Sequence, residues 1–350
     1  MPQKPIKLLI VDDSRIIRTA IKKIFDPDPQ IEVVGEAGNG EEALAIIPEL
    51  QPDVITLDIN MPKMDGLLTL KHIMIKYPTP TVMISSLTKE GATKTFDALR
   101  LGAINFIAKP SNLNKNSINS QQQNILDKIK LAANINMKHV RLFRARTQLQ
   151  TTTKKKSPLE RCVVLGTSEG GYSALLKIIP QLKPDLPVTY LVILYATPAH
   201  VDAFAKYLNH HSAIKVKRAV DGKALKSGTC YLAAESEYIT AVKIKKKLSL
   251  RVHPSPFPKR RGAINILMLS LSEIMPDRTL GIILSGQEQD GAEGVAEIAR
   301  VGGEVIIQDP QTCLFKEMPE TAIRLCESGD ILPDTYIAEA IENYCNKTLK

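Results

Sequence analysis

The chain has no long apolar run. Its first strand-like stretch, residues 6–11, falls far short of the ~20 apolar residues a membrane-crossing helix needs, and nothing ahead of it has the pattern of a secretory leader. Membrane insertion is therefore not expected. It also lacks a C-x-x-C pair: the five cysteines, Cys162, Cys230, Cys313, Cys326 and Cys345, are scattered and odd in number. This argues against a zinc knuckle or a redox dithiol and suits reduced thiols in the cytoplasm. No helix-turn-helix pattern, zinc-finger spacing or aromatic stacking platform is present. A nucleic-acid partner is thus not expected, despite a formal net charge of +9. Acids are missing from one stretch altogether: residues 134–158 carry Lys138, Arg141, Arg144, Arg146, Lys154, Lys155 and Lys156 and no carboxylate. Further basic clusters stand at 243–247 and 259–261. Such charge is either solvated linker and loop or an attraction toward something acidic.

A length of 350 residues exceeds one ordinary core and suits two domains. Residues 1–133 alternate strand-like runs (6–11, 31–36, 54–57, 81–85, 103–108) with amphipathic stretches (15–25, 40–50, 66–77, 89–101, 124–133). Five β-α repeats predict a doubly wound parallel sheet. Residues 111–123, rich in Asn, Ser and Gln, read as a polar loop, and 134–158 as a basic linker. A second alternation fills 159–350. Its strands are expected at 162–165, 189–194, 229–232, 280–284 and 304–308, and its helices at 171–179, 202–210, 263–274, 291–301 and 319–326. It predicts a larger doubly wound α/β domain with a parallel sheet. No sequence repeat relates the halves.

In the first domain, special residues sit where the apolar runs end: Asp12 and Asp13, Asp58, Ser85, and Lys109 before Pro110. In doubly wound sheets functional groups gather beyond the carboxyl ends of the strands. Magnesium takes near-octahedral oxygen ligands. Asp13 and Asp58 can supply carboxylates, Asp12 can orient a bound water, and the Asn60 carbonyl can complete the protein share. Asp58 is then a nucleophile toward a phosphodonor. Lys109 and Ser85 can pair with phosphoryl oxygens, and Pro110 permits a cis peptide that aims the lysine inward. Taken singly, Asp13 or Ser14 is an ordinary helix cap and Lys-Pro an ordinary turn. Their joint placement predicts a phosphoaspartate switch. Residues 1–133 resemble the receiver domain of bacterial two-component response regulators. The resemblance implies phosphotransfer from a histidine kinase to Asp58, and movement of Ser85 and Phe106 on phosphorylation.

The second domain opens with Gly166-Thr167-Ser168-Glu169-Gly170 directly after a strand. This fits G-x-S-x-G, a tight turn that presents a serine hydroxyl, although a phosphate-binding β-α turn has a similar pattern. Asp290 ends the run after the strand at 280–284, able to orient a base, and 308–319 is a further marker stretch. Together these resemble the chemotaxis protein-glutamate methylesterase family, in which a receiver controls an esterase acting on chemoreceptor glutamates; some members also deamidate glutamines. The family's catalytic histidine is then expected where this chain has Tyr195. A phenol, with an ordinary pKa near ~10, is a poor acceptor of the serine proton. In a well-studied serine protease, loss of the base costs about 10⁶ in turnover.

Other departures agree. Glu169 replaces a family threonine; a carboxylate ~5 Å from a developing oxyanion opposes it by about 3 kcal/mol. A second family histidine is missing from 233–238, and Gln287 replaces a methionine. The expectation is a response regulator phosphorylated on Asp58 whose esterase-like half is impaired and acts by binding a chemoreceptor or chemosensory array protein. The alternative is an active esterase with a displaced base, for which His200 is the nearest candidate in sequence. A transcriptional regulator lacks a DNA-reading element.

Overall fold

The structure, a computed structural model, describes residues 4–85, 89–109, 115–137, 158–168, 170–234, 236–254 and 262–348. The chain forms two units, Met1–Arg144 and Ala145–Lys350.

The first unit alternates β1 (Ile6–Val11), α1 (Arg15–Phe25), β2 (Ile31–Ala37), α2 (Gly40–Leu50), β3 (Val54–Asp58), α3 (Gly66–Lys76), β4 (Thr81–Ser85), α4 (Lys89–Arg100), β5 (Asn105–Ala108) and α5 (Lys115–Ala133). Its strands pair in parallel in the order β2-β1-β3-β4-β5. The central strands are apolar on both faces because helices cover both: Leu8, Leu9, Ile10, Val54, Ile55 and Leu57 are fully buried. Strand order reverses between β1 and β3, which opens a crevice at their carboxyl ends. Ser14, Asn39 and Asp65 cap α1, α2 and α3 by accepting hydrogen bonds from backbone N–H groups. Because Ser14 caps α1, Asp13 is not spent on that task. One expectation fails here: residues 115–123 are helical rather than a polar loop. Buried Ile125, Ile129 and Ala132 dock the later turns of α5, and the helix runs back from that anchor through polar residues.

The second unit comprises β6 (Arg161–Thr167), α6 (Gly171–Ile178), β7 (Val188–Leu194), α7 (Pro198–His211), β8 (Lys215–Arg218), β9 (Thr229–Ala234), β10 (Glu237–Ile244), β11 (Lys247–Pro254), α8 (Ala263–Ile274), β12 (Thr279–Ile283), α9 (Ala292–Arg300), β13 (Glu304–Gln308), α10 (Glu317–Leu325), β14 (Asp330–Leu332) and α11 (Asp334–Asn346). Seven strands form a parallel sheet in the order β14-β13-β12-β6-β7-β9-β8. The order reverses between β6 and β12, again creating a crevice at strand carboxyl ends. The structure adds β8, β14, α11 and an antiparallel hairpin, β10–β11, to the elements expected. The hairpin turn places Lys245 (φ 49°) and Lys246 (φ 64°) in the left-handed region, where Asn-Gly is the usual choice. That conformation costs an L-residue about 1–2 kcal/mol, and eight paired positions along the strands hold it. No helix among the described residues is long and apolar enough to cross a membrane.

Candidate functional site

At the β1/β3 crevice Asp12 and Asp58 are buried, and Asp13 stands beside them exposed. One carboxylate oxygen from each lies within 4.8 Å of the others. Lys109, from the end of β5, reaches between them: its Nζ is 2.9 Å from Asp58 Oδ1 and 3.1 Å from Asp12 Oδ2. Asp12 is fixed in turn, since its Oδ1 accepts the Ser14 N–H at 2.9 Å and its carbonyl accepts Arg18 Nη1 at 2.7 Å. Asp58 Oδ2 is buried without a hydrogen-bond donor among the described residues. Burial raises the Asp58 pKa, and Lys109 offsets only part of that. Burial tends to lower the Lys109 pKa, but its bonds to Asp58 and Asp12 outweigh this and raise it. An unsatisfied buried carboxylate oxygen within a set of hard oxygen donors fits a small divalent cation.

Asn60 is exposed two residues past Asp58, and its Oδ1 accepts Lys94 Nζ at 2.6 Å. Phe106 is buried in β5; Lys128 Nζ donates to its carbonyl at 3.0 Å and lies 5.5 Å from its ring centroid. Ser85 closes β4 in register with Ala108. The side chain of Ser85, and Pro110, lie outside the described residues.

In the second unit the β6/β7 register pairs Thr167 with Leu194, so Ser168 and Tyr195 leave adjacent strands at the same level. The Thr167 hydroxyl donates to the Ser285 carbonyl at 2.6 Å, tying the Ser168 turn to the loop after β12. Gly170 takes a left-handed φ of 82° at the head of α6. Ser168 is buried, and its Oγ accepts the Gln287 N–H at 2.9 Å. Gly286 makes this approach possible: a Cβ there would lie 2.6 Å from Ser168 Oγ and 2.1 Å from Met318 Sδ.

Tyr195 donates its hydroxyl hydrogen to Asp290 Oδ2 at 2.6 Å and accepts the Gly262 N–H at 3.3 Å. Asp290 also accepts two backbone N–H groups, from Ile264 at 2.9 Å and Asn265 at 3.0 Å. These belong to the first turn of α8, whose own N-cap, Gly262, has no side chain to offer. Asp290 thus does a second job, capping α8 from another loop, a role invisible in a chain where the partners stand 25 and 26 residues apart. His200 lies in the first turn of α7, its Nδ1 2.8 Å from the hydroxyl of the cap residue Thr197. A cavity of about 420 Å³ opens beside Asp290, lined by Asn265, Gln287, Glu288, Glu293, Glu317 and Thr321 among others. Glu169 and Glu235 lie outside the described residues.

Residues 163–341 match the family model described as CheB methylesterase, and residues 8–117 that of the response regulator receiver domain. The protein-glutamate methylesterase/protein-glutamine glutaminase of Pyrococcus horikoshii is 36% identical over 342 residues, covering 97% of this chain and 93% of that protein. The protein-glutamate methylesterase/protein-glutamine glutaminase 2 of Carboxydothermus hydrogenoformans is 37% identical over 350 residues, covering 96% and 98% respectively. The crystal structure of the Thermotoga maritima CheB methylesterase catalytic domain aligns at 28% identity and a TM-score of 0.49, covering 52% of this chain and 97% of that one. With both domains matched and the likeness running almost end to end, the chain belongs to the CheB methylesterase family, a response regulator receiver domain preceding its methylesterase domain.

Proposed function

We propose that this protein is a phosphorylation-controlled chemotaxis regulator whose methylesterase domain binds its chemosensory target without efficiently hydrolysing it. In the receiver, an Asp58 oxygen attacks the phosphorus of a phosphohistidine on a kinase. The P–N bond breaks as the acyl phosphate forms. Asp13, Asp58 and the Asn60 carbonyl are the residues to hold Mg²⁺, with Asp12 orienting its water; the ion supplies charge neutralisation for the phosphoryl oxygens. Lys109 moves from the Asp58 carboxylate to a phosphoryl oxygen, and Ser85 and Phe106 transmit the change.

The observation that carries the output reading is the Tyr195–Asp290 hydrogen bond of 2.6 Å. The carboxylate that orients a base in a serine triad here holds a phenol. The phenol spends its proton on Asp290 and offers Ser168 no basic nitrogen. Ser168 Oγ is held by the Gln287 N–H, a contact that positions the oxygen and does not deprotonate it.

A second reading keeps the activity: protein-glutamate methylester hydrolysis, and possible glutamine deamidation, with His200 as displaced base. It draws on the names of the relatives and on the retained Ser168 and Asp290. Methanol release from methylated receptor decides between the readings. The phosphorylated protein is expected to release no more than its Ser168→Ala variant; release that disappears in Ser168→Ala establishes the second reading.

A further inference from the structure

Three lysine groups from separate elements between residues 215 and 247 gather at one edge of the methylesterase domain. Lys215 and Lys217 alternate along β8, the edge strand of the sheet. Lys223 and Lys226 lie on the segment that leads into β9. That segment runs antiparallel to β11: Leu225 N–H donates to the Leu248 carbonyl at 2.8 Å, Gly222 N–H to the Leu250 carbonyl at 2.8 Å, and Ala224 bridges Ser249. Carried two residues on, this register sets Lys226 beside Lys247, at the end of the hairpin that holds Lys243, Lys245 and Lys246.

All these lysines are exposed. The acids nearest in the chain are engaged elsewhere: Arg218 holds Asp202 and Glu237, and Arg251 holds Asp221. Lys217 Nζ sits 4.9 Å over the Tyr231 ring, and its pKa is lowered by partial burial and by the charges of Lys226, Lys223 and Lys215. The fold therefore concentrates positive charge that none of its own carboxylates neutralises among the described residues. The patch lies at the amino ends of β8 and β9, whereas Ser168 and Tyr195 stand at the carboxyl ends of β6 and β7. The length of β9, roughly 20 Å, separates the two ends of the sheet.

We propose that this patch is a docking surface for an acidic, glutamate-rich protein segment, held apart from the Ser168 site. Lysines are flexible point charges suited to diffuse carboxylate charge. The two arginines beside the patch are already paired with acids, and the aromatic ring it holds among the described residues, Tyr231, is buried, so phosphate clamping and base stacking are poorly served. The choice of partner rests on the reading that the domain engages receptor glutamates, since a segment presenting several of them is itself anionic.

The test is fluorescence anisotropy of a labelled polyglutamate peptide titrated with the full chain at two salt concentrations. Affinity should fall with salt, and the variant Lys223→Gln, Lys226→Gln, Lys245→Gln, Lys246→Gln should lose about tenfold or more. Neutralising Lys154, Lys155 and Lys156 in the linker should leave it unchanged. Undiminished binding by the patch variant, loss confined to the linker variant, or preference for phosphatidylserine vesicles or single-stranded RNA over the peptide would overturn the proposal. Neither hydrolysis nor phosphotransfer is read out, so a failure here leaves the reading of Ser168 standing, and a failure of that reading leaves this one.

Discussion

Replacing Asp290 by alanine removes three hydrogen bonds at once from a carboxylate that is 7% exposed. Two of them cap α8 at its second and third positions, and a lost cap costs about 1 kcal/mol, with up to about 1 more for the charge at a helix N-terminus. The third satisfies Tyr195, and a hydrogen bond to a charged group contributes about 1.5–3 kcal/mol. The sum is about 3–5 kcal/mol. At about 2–4 °C per kcal/mol for a domain of this size, the methylesterase transition should fall by roughly 10 °C. Tyr195→Phe removes the third bond and the weaker one from the Gly262 N–H at 3.3 Å but leaves the cap in place, and should cost about half as much. In the double variant the tyrosine substitution should cost far less, because its partner is already gone. Differential scanning calorimetry of the intact chain reads the shift, with the receiver transition as internal reference. A drop of less than about 3 °C for Asp290→Ala, or strictly additive effects, would refute the reasoning that Asp290 is committed to Tyr195 and α8.

Three further outcomes are expected. Asp58→Asn, or chelation of divalent metal, should abolish phosphate uptake from a small phosphodonor; uptake at an unchanged level would remove Asp58 as the acceptor. Burial raises the Asp58 pKa above its ordinary 3.8, so the folded receiver keeps a proton that the unfolded chain has released. Its contribution to stability is therefore greatest in acid and declines as pH rises through the raised value. Asp58→Asn should flatten that slope in metal-free calorimetry as pH rises above the ordinary carboxylate value, and raise the receiver's melting temperature at neutral pH. Finally, if the proposed loss of the base is right, Tyr195→His with Glu169→Thr should switch on methanol release from methylated receptor; continued silence would show that more than these two positions is missing.

The receiver was legible because its signals are local. Leu8 to Val11 is a continuous apolar run and Val54 to Leu57 is one broken only by Thr56, as suits strands buried on both faces, and Asp12, Asp58 and Lys109 follow directly at or after strand ends. The Ser168 turn and the Tyr195 position were legible for the same reason. Other features were hidden where tertiary context overrides local pattern. The hairpin β10–β11 is punctuated by Lys245 and Lys246 rather than Asn or Gly, so the sequence offers no turn signal there. The first turns of α5 carry Asn, Ser and Gln and read as loop until Ile125 and Ile129 are seen to anchor them. The strand β14 has only three residues, too short for a period to register. The capping of α8 by Asp290, and the pairing of Gly222, Ala224 and Leu225 with β11, depend on contacts between separate segments that no local pattern reveals.

The account turns on whether Ser168 has a base. A fluorophosphonate probe, which forms a covalent adduct with an activated serine hydroxyl, reads this directly by mass spectrometry of the phosphorylated full chain. The wild type should carry no adduct at Ser168, while the Tyr195→His, Glu169→Thr variant should. A wild-type adduct on Ser168 that is lost in Ser168→Ala would contradict the claim that the phenol on Asp290 has silenced this site.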